Sequence, residues 1–248
     1  MEAMPTLLPG ERIDDLQLDG LRIIQQEKGF RFGMDAVLLA DFCRGTTKEH
    51  VADFGTGTGI LPLLLHARGK GGTFEAFEIQ PQMVEMARRT MALNGLTEVI
   101  RIHERDITQA RGVVPDGSLD AIVCNPPYGL PGTTLVNPSD ALATARHQPP
   151  EGLDNWYRMA YLLLKGKGRF AMVYPAPRML EAMQSLEKAH MVPKRFRLIY
   201  PRVDKPANLV LIEAVKDAKP MLHPEPPLIV YQENGDMTEE LKRIYHLL

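Results

Sequence analysis

The sequence has few of the features that mark secreted, membrane or metal-binding proteins. Its only two cysteines, Cys43 and Cys124, each lie in an apolar run, which favours buried reduced thiols over a disulfide or a metal site. No stretch approaches the roughly 20 apolar residues of a membrane span. The first residues have neither the basic nor the apolar part of a secretory signal. We therefore expect a cytoplasmic protein that binds no membrane and no metal.

Internal repeats, low-complexity segments and a large net charge are also absent. The net charge is −2, which argues against a protein that coats nucleic acid indiscriminately. One segment departs from this balance, because residues 158–205 contain eleven Lys or Arg against three acidic residues. Such a segment either contacts a polyanion or forms the solvated faces of helices.

Short β-branched runs alternate with longer helical runs along most of the chain. This order predicts a doubly wound α/β sheet in one domain at 46–248, with 1–45 as an N-terminal cover segment of the same domain. The predicted strands are 50–54, 72–79, 99–106, 119–124, 169–174, 194–201 and 208–215. The predicted helices are 34–43, 60–68, 81–95, 153–165 and 177–190, with a turn at 166–168 and a small hairpin or extended cover before 34.

A glycine loop follows the first strand of the sheet and opens the next helix. It contains Gly55, Gly57 and Gly59, with Asp53 two positions before the first glycine. Glycines permit positive φ and close approach of a ligand, and the free N–H groups of the helix favour an anionic group. The spacing is G-x-G-x-G rather than the G-x-G-x-x-G of nicotinamide-binding proteins. A nucleotide-type cofactor is therefore predicted, the alternative being a glycine turn needed only for packing.

Two further acidic residues follow the next two strands. Glu78, with Ile79 beside it, is placed to accept hydrogen bonds from ribose hydroxyls, and Asp106 with Ile107 to take an adenine amine and cover its ring. Parallel strands end at the edge where such folds bind ligands. This set is similar to that of the class I S-adenosylmethionine-dependent methyltransferases. The resemblance implies S-adenosylmethionine as cofactor and a Rossmann-like fold, with a seven-stranded, mostly parallel sheet and helices on both faces.

The tetrapeptide Asn125-Pro126-Pro127-Tyr128 ends the fourth strand of the sheet. The prolines cannot donate ladder hydrogen bonds and they fix their own φ, so the strand ends and the following groups are held rigidly. In the methyltransferase resemblance, this tetrapeptide marks enzymes that methylate a nitrogen conjugated to a π-system, beside the bound cofactor. Asn125 and the Pro126 carbonyl would accept the two N–H groups of an exocyclic amine, and Tyr128 would stack on the base. The alternative is a structural turn at the end of a strand.

The flanking segments narrow the acceptor. Residues 29–42, 145–148, 162–175, 193–216 and 226–245 resemble the bacterial tRNA-valine adenine-N6 methyltransferase family, and the resemblance extends from about residue 11 to residue 245. It implies methylation of the adenine just 3′ of the anticodon, in a single-stranded loop. Guanine N2 of ribosomal RNA, a release-factor glutamine and a non-catalytic S-adenosylmethionine-binding RNA chaperone remain alternatives, and no oligomeric state is predicted.

The same resemblance implies several contacts with cofactor and RNA. Phe32 matches a family position near the open side of the cofactor, although core packing explains it equally well. Arg146 and His147 either touch RNA phosphates or order their loop. The candidate phosphate contacts come from the basic segment: Lys194, Arg195, Arg197, Arg202 and Lys205.

Overall fold

The computed structural model, which describes residues 6–28, 33–127 and 153–247, is built around one mostly parallel β-sheet. A separate antiparallel hairpin, β1 (Glu11–Asp15) and β2 (Arg22–Gln26), precedes it. The strands of the sheet are β3 (His50–Phe54), β4 (Thr73–Glu78), β5 (Ile100–Glu104), β6 (Leu119–Cys124), β7 (Leu164–Pro175), β8 (Met191–Tyr200), β9 (Leu209–Lys216), β10 (His223–Pro224) and β11 (Leu228–Ile229).

The strand order confirms the predicted Rossmann-like fold. It runs β10-β8-β9-β7-β6-β3-β4-β5, with β11 also paired to β8. Only β9 is antiparallel to its neighbours, β7 and β8. Among the described residues, seven strands of the sheet have five or more residues, and β10 and β11, which the sequence pattern did not predict, extend its edge by two residues each.

Five of the described helices occupy nearly the positions that apolar periodicity predicted, whereas a sixth, Glu239–Ile244, was not predicted. In α3 (Pro81–Leu93), buried Val84, Ala87 and Met91 form one face, and Pro81 occupies the first turn, where its missing N–H costs nothing. None of the helices in the described ranges is long and apolar enough to cross a bilayer. The helices are α1 (Met34–Phe42), α2 (Ile60–Ala67), α3 (Pro81–Leu93), α4 (Asp154–Leu163), α5 (Met179–Lys188) and α6 (Glu239–Ile244), with 3₁₀ helices at Ile107–Gly112 and Ala176–Arg178.

The turn predicted at 166–168 was wrong, because this segment lies within β7. The pairing with β6 shifts register between Leu119–Leu164 and Ala121–Arg169. Lys167 has a φ of 65°, so the extra residues bend out locally while the strand resumes beyond them.

The N-terminal hairpin packs against α3. Asn94 accepts a hydrogen bond from the Arg22 N–H at 2.9 Å, and Thr90 accepts one from the Ile24 N–H at 3.2 Å. Arg89 forms an ion pair with Glu11. The hairpin that the sequence left open as one of two possibilities is therefore present, while the domain boundary near residue 45 stays a prediction.

Both cysteines are buried and free, as predicted. Burial raises the pKa of the Cys43 thiol to about 12, so this thiol carries a proton at neutral pH.

Candidate functional site

Three residues predicted to form the site lie next to one another at the carboxyl ends of adjacent strands. In the parallel register, the last residue of β3 pairs with Phe77 of β4 and with the last residue of β6. Neighbouring strands lie about 4.8 Å apart. Gly55, Glu78 and Asn125 therefore occupy equivalent levels on three adjacent strands. The glycine loop and the proline-rich tetrapeptide are neighbours, although about 70 residues separate them in the sequence.

The glycine loop has a backbone that other residues adopt at a cost. Gly55, Gly57 and Gly59 have φ values of 75°, 56° and 84°. A Cβ atom at Gly59 would lie 2.5 Å from Cε of Met91, so the end of that flexible side chain would have to move, and it is the positive φ that favours glycine there. The loop therefore exposes backbone rather than side chains, which is the form needed to cradle a ligand.

Glu78 connects the glycine loop to the end of β4. Its Oε2 accepts a hydrogen bond from the Gly57 N–H at 3.0 Å, and its Oε1 accepts the N–H groups of Ile79 and Gln80, both at 2.9 Å. A carboxylate has roughly four acceptor positions. The side chain thus keeps about one acceptor position for a ligand hydroxyl, and accepting two hydroxyls would require one of these three N–H groups to leave.

Asp53 is fully buried beneath the loop. Its two carboxyl oxygens and the hydroxyls of Thr56 and Thr58 have no hydrogen-bond partner among the described residues. Burial raises the pKa of Asp53 to about 7. The nearby Thr56 side chain acts to lower this pKa, although it is too poorly aligned to form a hydrogen bond with Asp53, and the negative charge of Glu78 acts to raise it. Buried groups of this kind are normally paired, so the loop carries unmet polar capacity that suits a polar ligand.

The third predicted acid, Asp106, caps the 3₁₀ helix that begins at Ile107. Its Oδ1 accepts hydrogen bonds from the N–H of Thr108 at 2.7 Å and from its hydroxyl at 2.6 Å. Ile107 is buried in the core, whereas Ile79 is 56% exposed. Ile79 therefore offers more free apolar surface to an adenine ring than Ile107 does.

Part of the predicted catalytic tetrapeptide is described. Pro126 is buried, and Asn125 and Pro127 are half-buried directly after β6. Tyr128, Phe32, Arg146 and His147 lie outside the described residues.

Trp156 is a neighbour of the site that sequence reasoning missed. Its ring lies edge-on to Phe54, with centroids 6.4 Å apart, and its Cη2 is 3.3 Å from the position of a Cβ at Gly55. Helical periodicity placed Trp156 correctly in α4, but no local pattern shows which loop the ring reaches.

Two of the five candidate phosphate contacts are engaged inside the protein. Arg195 is 6% exposed, donates to both carboxylate oxygens of Glu213, bonds Glu225 at 2.7 Å and lies over the Phe42 ring. The prediction that Arg195 contacts RNA is therefore corrected, because the side chain is buried and all three guanidinium nitrogens are bonded within the protein. Arg197 is also held, by Glu240 and by the carbonyl of Pro226.

The other three candidates lie at opposite edges of the sheet. β8 runs parallel to β7, and Lys194 is near its beginning, far from the glycine loop, where it bonds the Lys219 carbonyl at 3.1 Å. Arg202 and Lys205 are exposed in the connection from β8 to β9, at the edge where β3 and β6 end. Only these two share an edge with Asn125.

Across the described ranges, no group of three or more His, Cys, Asp or Glu residues is arranged to hold a metal ion. On this strand order the glycine loop, Glu78 and Asn125 lie at the carboxyl ends of adjacent parallel strands, where folds of this kind bind ligands. The strand order is that of the class I S-adenosylmethionine-dependent methyltransferase fold. More particularly, residues 33–145 match the family model described as the methyltransferase small domain.

Curated relatives confirm the resemblance found in the sequence. A protein from Vibrio campbellii is 26% identical over 88% of this chain and 90% of its own length. One from Porphyromonas gingivalis is 31% identical over 60% of each chain. Both are named tRNA1(Val) (adenine(37)-N6)-methyltransferase.

Solved structures support the fold alone. A crystal structure of a predicted O-methyltransferase from Agrobacterium tumefaciens has a TM-score of 0.67 at 22% identity, covering 86% of this chain and 96% of its own. TYW2 from P. horikoshii, solved in complex with MeSAdo, has a TM-score of 0.57 at 15% identity, covering 84% of this chain and 72% of its own.

Proposed function

We propose that this protein transfers the methyl group of S-adenosylmethionine to N6 of an adenine in the anticodon loop of a tRNA, with a valine tRNA as substrate. The observation that carries the proposal is the placement of Asn125 beside Gly55, on the strand next to the glycine loop. The names of the curated relatives support the choice of base and RNA. A tRNA substrate agrees with the cytoplasmic location predicted from the sequence.

The residues present fit the cofactor. Glu78 would bind its ribose, Asp106 its adenine amine and Ile79 the face of its adenine ring. Asp53, Thr56 and Thr58 contribute buried polar atoms that have no hydrogen-bond partner among the described residues. When bound, S-adenosylmethionine supplies an electrophilic methyl group on a sulfonium. The chain therefore has to orient the cofactor and the acceptor and to exclude water.

Asn125 and Pro126 prepare the acceptor nitrogen. The lone pair of an exocyclic adenine amine is delocalised into the ring, which makes it a poor nucleophile. The Asn125 side-chain oxygen and the Pro126 carbonyl accept hydrogen bonds from the two N–H groups of this amine. These contacts draw the nitrogen towards tetrahedral geometry, so that its lone pair is aimed at the methyl group. Because prolines hold these acceptors before the reaction, little reorganisation is needed in the transition state. The methylated amine is acidic, so a strong general base is unnecessary.

We place the RNA at the carboxyl edge of the sheet. Arg202 and Lys205 remain as phosphate contacts, because both are exposed and lie at the edge that carries Asn125. Lys194 is set aside because of its distance along β8, and Arg195 and Arg197 because of their partners.

Methyl transfer to unmodified total tRNA tests the function, with the product nucleoside identified by mass spectrometry. We expect N6-methyladenosine in one tRNA species. Asn125→Ala should keep cofactor affinity but lower kcat about 10²- to 10³-fold. Asn125→Asp retains an acceptor oxygen and should recover part of the rate. Asn234→Ala, which removes an amide from an exposed loop, is the matched control and should leave kcat unchanged.

Other outcomes would redirect the proposal. Label in ribosomal RNA or in a release factor, with none in tRNA, would replace the acceptor while keeping the cofactor site. Full activity of Asn125→Ala would contradict the mechanism itself.

A further inference from the structure

Trp156 is the only tryptophan of the chain, and it lies beside the glycine loop. Nothing in the proposed chemistry uses this side chain. It lies in the first turn of α4, a helix that packs on the 3₁₀ helix following Asp106. α4 thus runs between two parts of the chain that are proposed to bind the cofactor.

The orientation of Trp156 is set by its neighbours on α4. The side chain of Tyr157 is buried, lies edge-on to Phe170 at 5.6 Å and contacts the sulfur of Met172. Tyr157 therefore anchors the helix against β7. Successive helical residues point about 100° apart, which turns the Trp156 ring away from β7 and towards β3.

At β3 the indole ring meets the first glycine of the loop. Two atoms of the six-membered ring lie 3.3 and 3.6 Å from where a Cβ atom on Gly55 would be, and the ring is perpendicular to Phe54, at an interplanar angle of 88°. Gly55 has positive φ, so its conformation is one that most residues resist. A rigid ring against this residue restricts the loop at the point where it leaves the sheet.

Core packing alone does not account for this position. Trp156 is only partly buried, and the segment it contacts carries the unpartnered polar atoms of Asp53 and Thr56. An aromatic ring that lies beside buried polar atoms without partners among the described residues is more typical of the lining of a ligand site than of the interior of an apolar core.

We propose that Trp156 is a positioning residue for S-adenosylmethionine, which holds the glycine loop through Gly55 and forms one side of the cofactor pocket. This inference rests on the proposed function only for the identity of the cofactor. It requires neither tRNA nor turnover.

The test uses the fluorescence of Trp156 in the full-length protein, titrated with S-adenosylhomocysteine. Since the chain has no other tryptophan, a change in emission reports this ring alone. Trp156→Ala should weaken binding by about three- to tenfold in calorimetry, as expected for an aromatic contact. Trp156→Phe keeps an aromatic ring and should restore most of the affinity. Tyr161→Phe, on the same helix, is the control and should bind as the wild type does.

The readouts separate the possible failures. Binding in calorimetry with unchanged emission, together with wild-type affinity of Trp156→Ala, would overturn the role of Trp156 and leave the proposed function intact. A lower melting temperature of ligand-free Trp156→Ala without any loss of affinity would also overturn it, because that is the result of a purely structural role. Absence of S-adenosylhomocysteine binding to the wild type would instead contradict the cofactor of the proposed function.

Discussion

Asp53 combines full burial with a carboxyl group that has no hydrogen-bond partner among the described residues. Its pKa is raised from 3.8 to about 7, first by burial. In that pH range the folded protein holds a proton that the unfolded chain has released, so the free energy of unfolding falls as the pH rises. The ligand site thus lowers stability at neutral pH, a cost that functional sites often carry.

Asp53→Asn should remove this pH dependence, because an amide does not ionise. The difference in melting temperature, ligand-free variant minus ligand-free wild type, should be several degrees larger at pH 8 than at pH 5. Thermal unfolding across this range measures the difference. Asp204→Asn, at an exposed carboxyl, should show no such trend. Parallel melting curves for Asp53→Asn and wild type at every pH would show that Asp53 does not titrate there.

At the scale of elements, three adjacent strands are joined on one face by a carboxylate. Glu75 of β4 is buried and accepts hydrogen bonds from His50 of β3 at 3.2 Å and His103 of β5 at 2.5 Å, with Arg101 at 3.3 Å. Burial acts to raise the pKa of Glu75, but the bonds and charges of His103 and His50 outweigh it and lower the pKa to about 2. This cluster therefore stabilises the half of the sheet that carries the glycine loop.

Glu75→Gln should destabilise the protein at neutral pH by about 1 to 3 kcal/mol. A lowered pKa contributes stability that is present above the unfolded value of 4.5 and is lost as the pH falls towards about 2. The stability difference between variant and wild type should accordingly shrink in that window. Urea unfolding at pH 7 and pH 3 measures it, with Glu104→Gln on β5 as an exposed control. An equal difference at both pH values would rule out ionic stabilisation by Glu75.

At the scale of the whole molecule, tertiary pairing removes part of the charge excess of residues 158–205. Among the described residues, four of its eleven basic side chains form ion pairs with acids from outside the segment. Examples are Lys165 with Asp120, Arg169 with Glu49 and Arg195 with Glu213. The charge that remains available at the carboxyl edge is local, in the connection from β8 to β9.

Replacing Arg202 and Lys205 together by alanine should weaken tRNA binding and reduce the slope of log K against log salt by about one per side chain. Lys194→Ala provides the matched control, because it removes the same kind of charge from the opposite edge of the sheet. Filter binding from low to moderate salt measures both. Equal losses in the control and in the double variant would mean that the RNA does not select this edge.

The sequence alone determined much of the fold and the position of the candidate site. Period-two and helical patterns placed nearly every strand and helix, because each pattern reflects which face of that element is buried. The glycine loop, Glu78 and Asn125 could also be found in the sequence. Each depends on a local feature, respectively glycines that permit positive φ, a carboxylate at the end of a strand and two consecutive prolines. The irregular part of β7 and the short β10 and β11 are exceptions that depend on pairing with distant strands, and the short helix α6 was not predicted either.

Only the tertiary structure decided which of the predicted residues are accessible to a ligand or to RNA. Arg195 and Arg202 look alike in sequence, yet one is enclosed by Glu213, Glu225 and Phe42 while the other is exposed. Trp156 reads as an ordinary helical residue until the fold brings it to Gly55. The physical reason is the same in each case. A side chain's partners are set by contacts between residues far apart in the chain, and local periodicity carries no information about them.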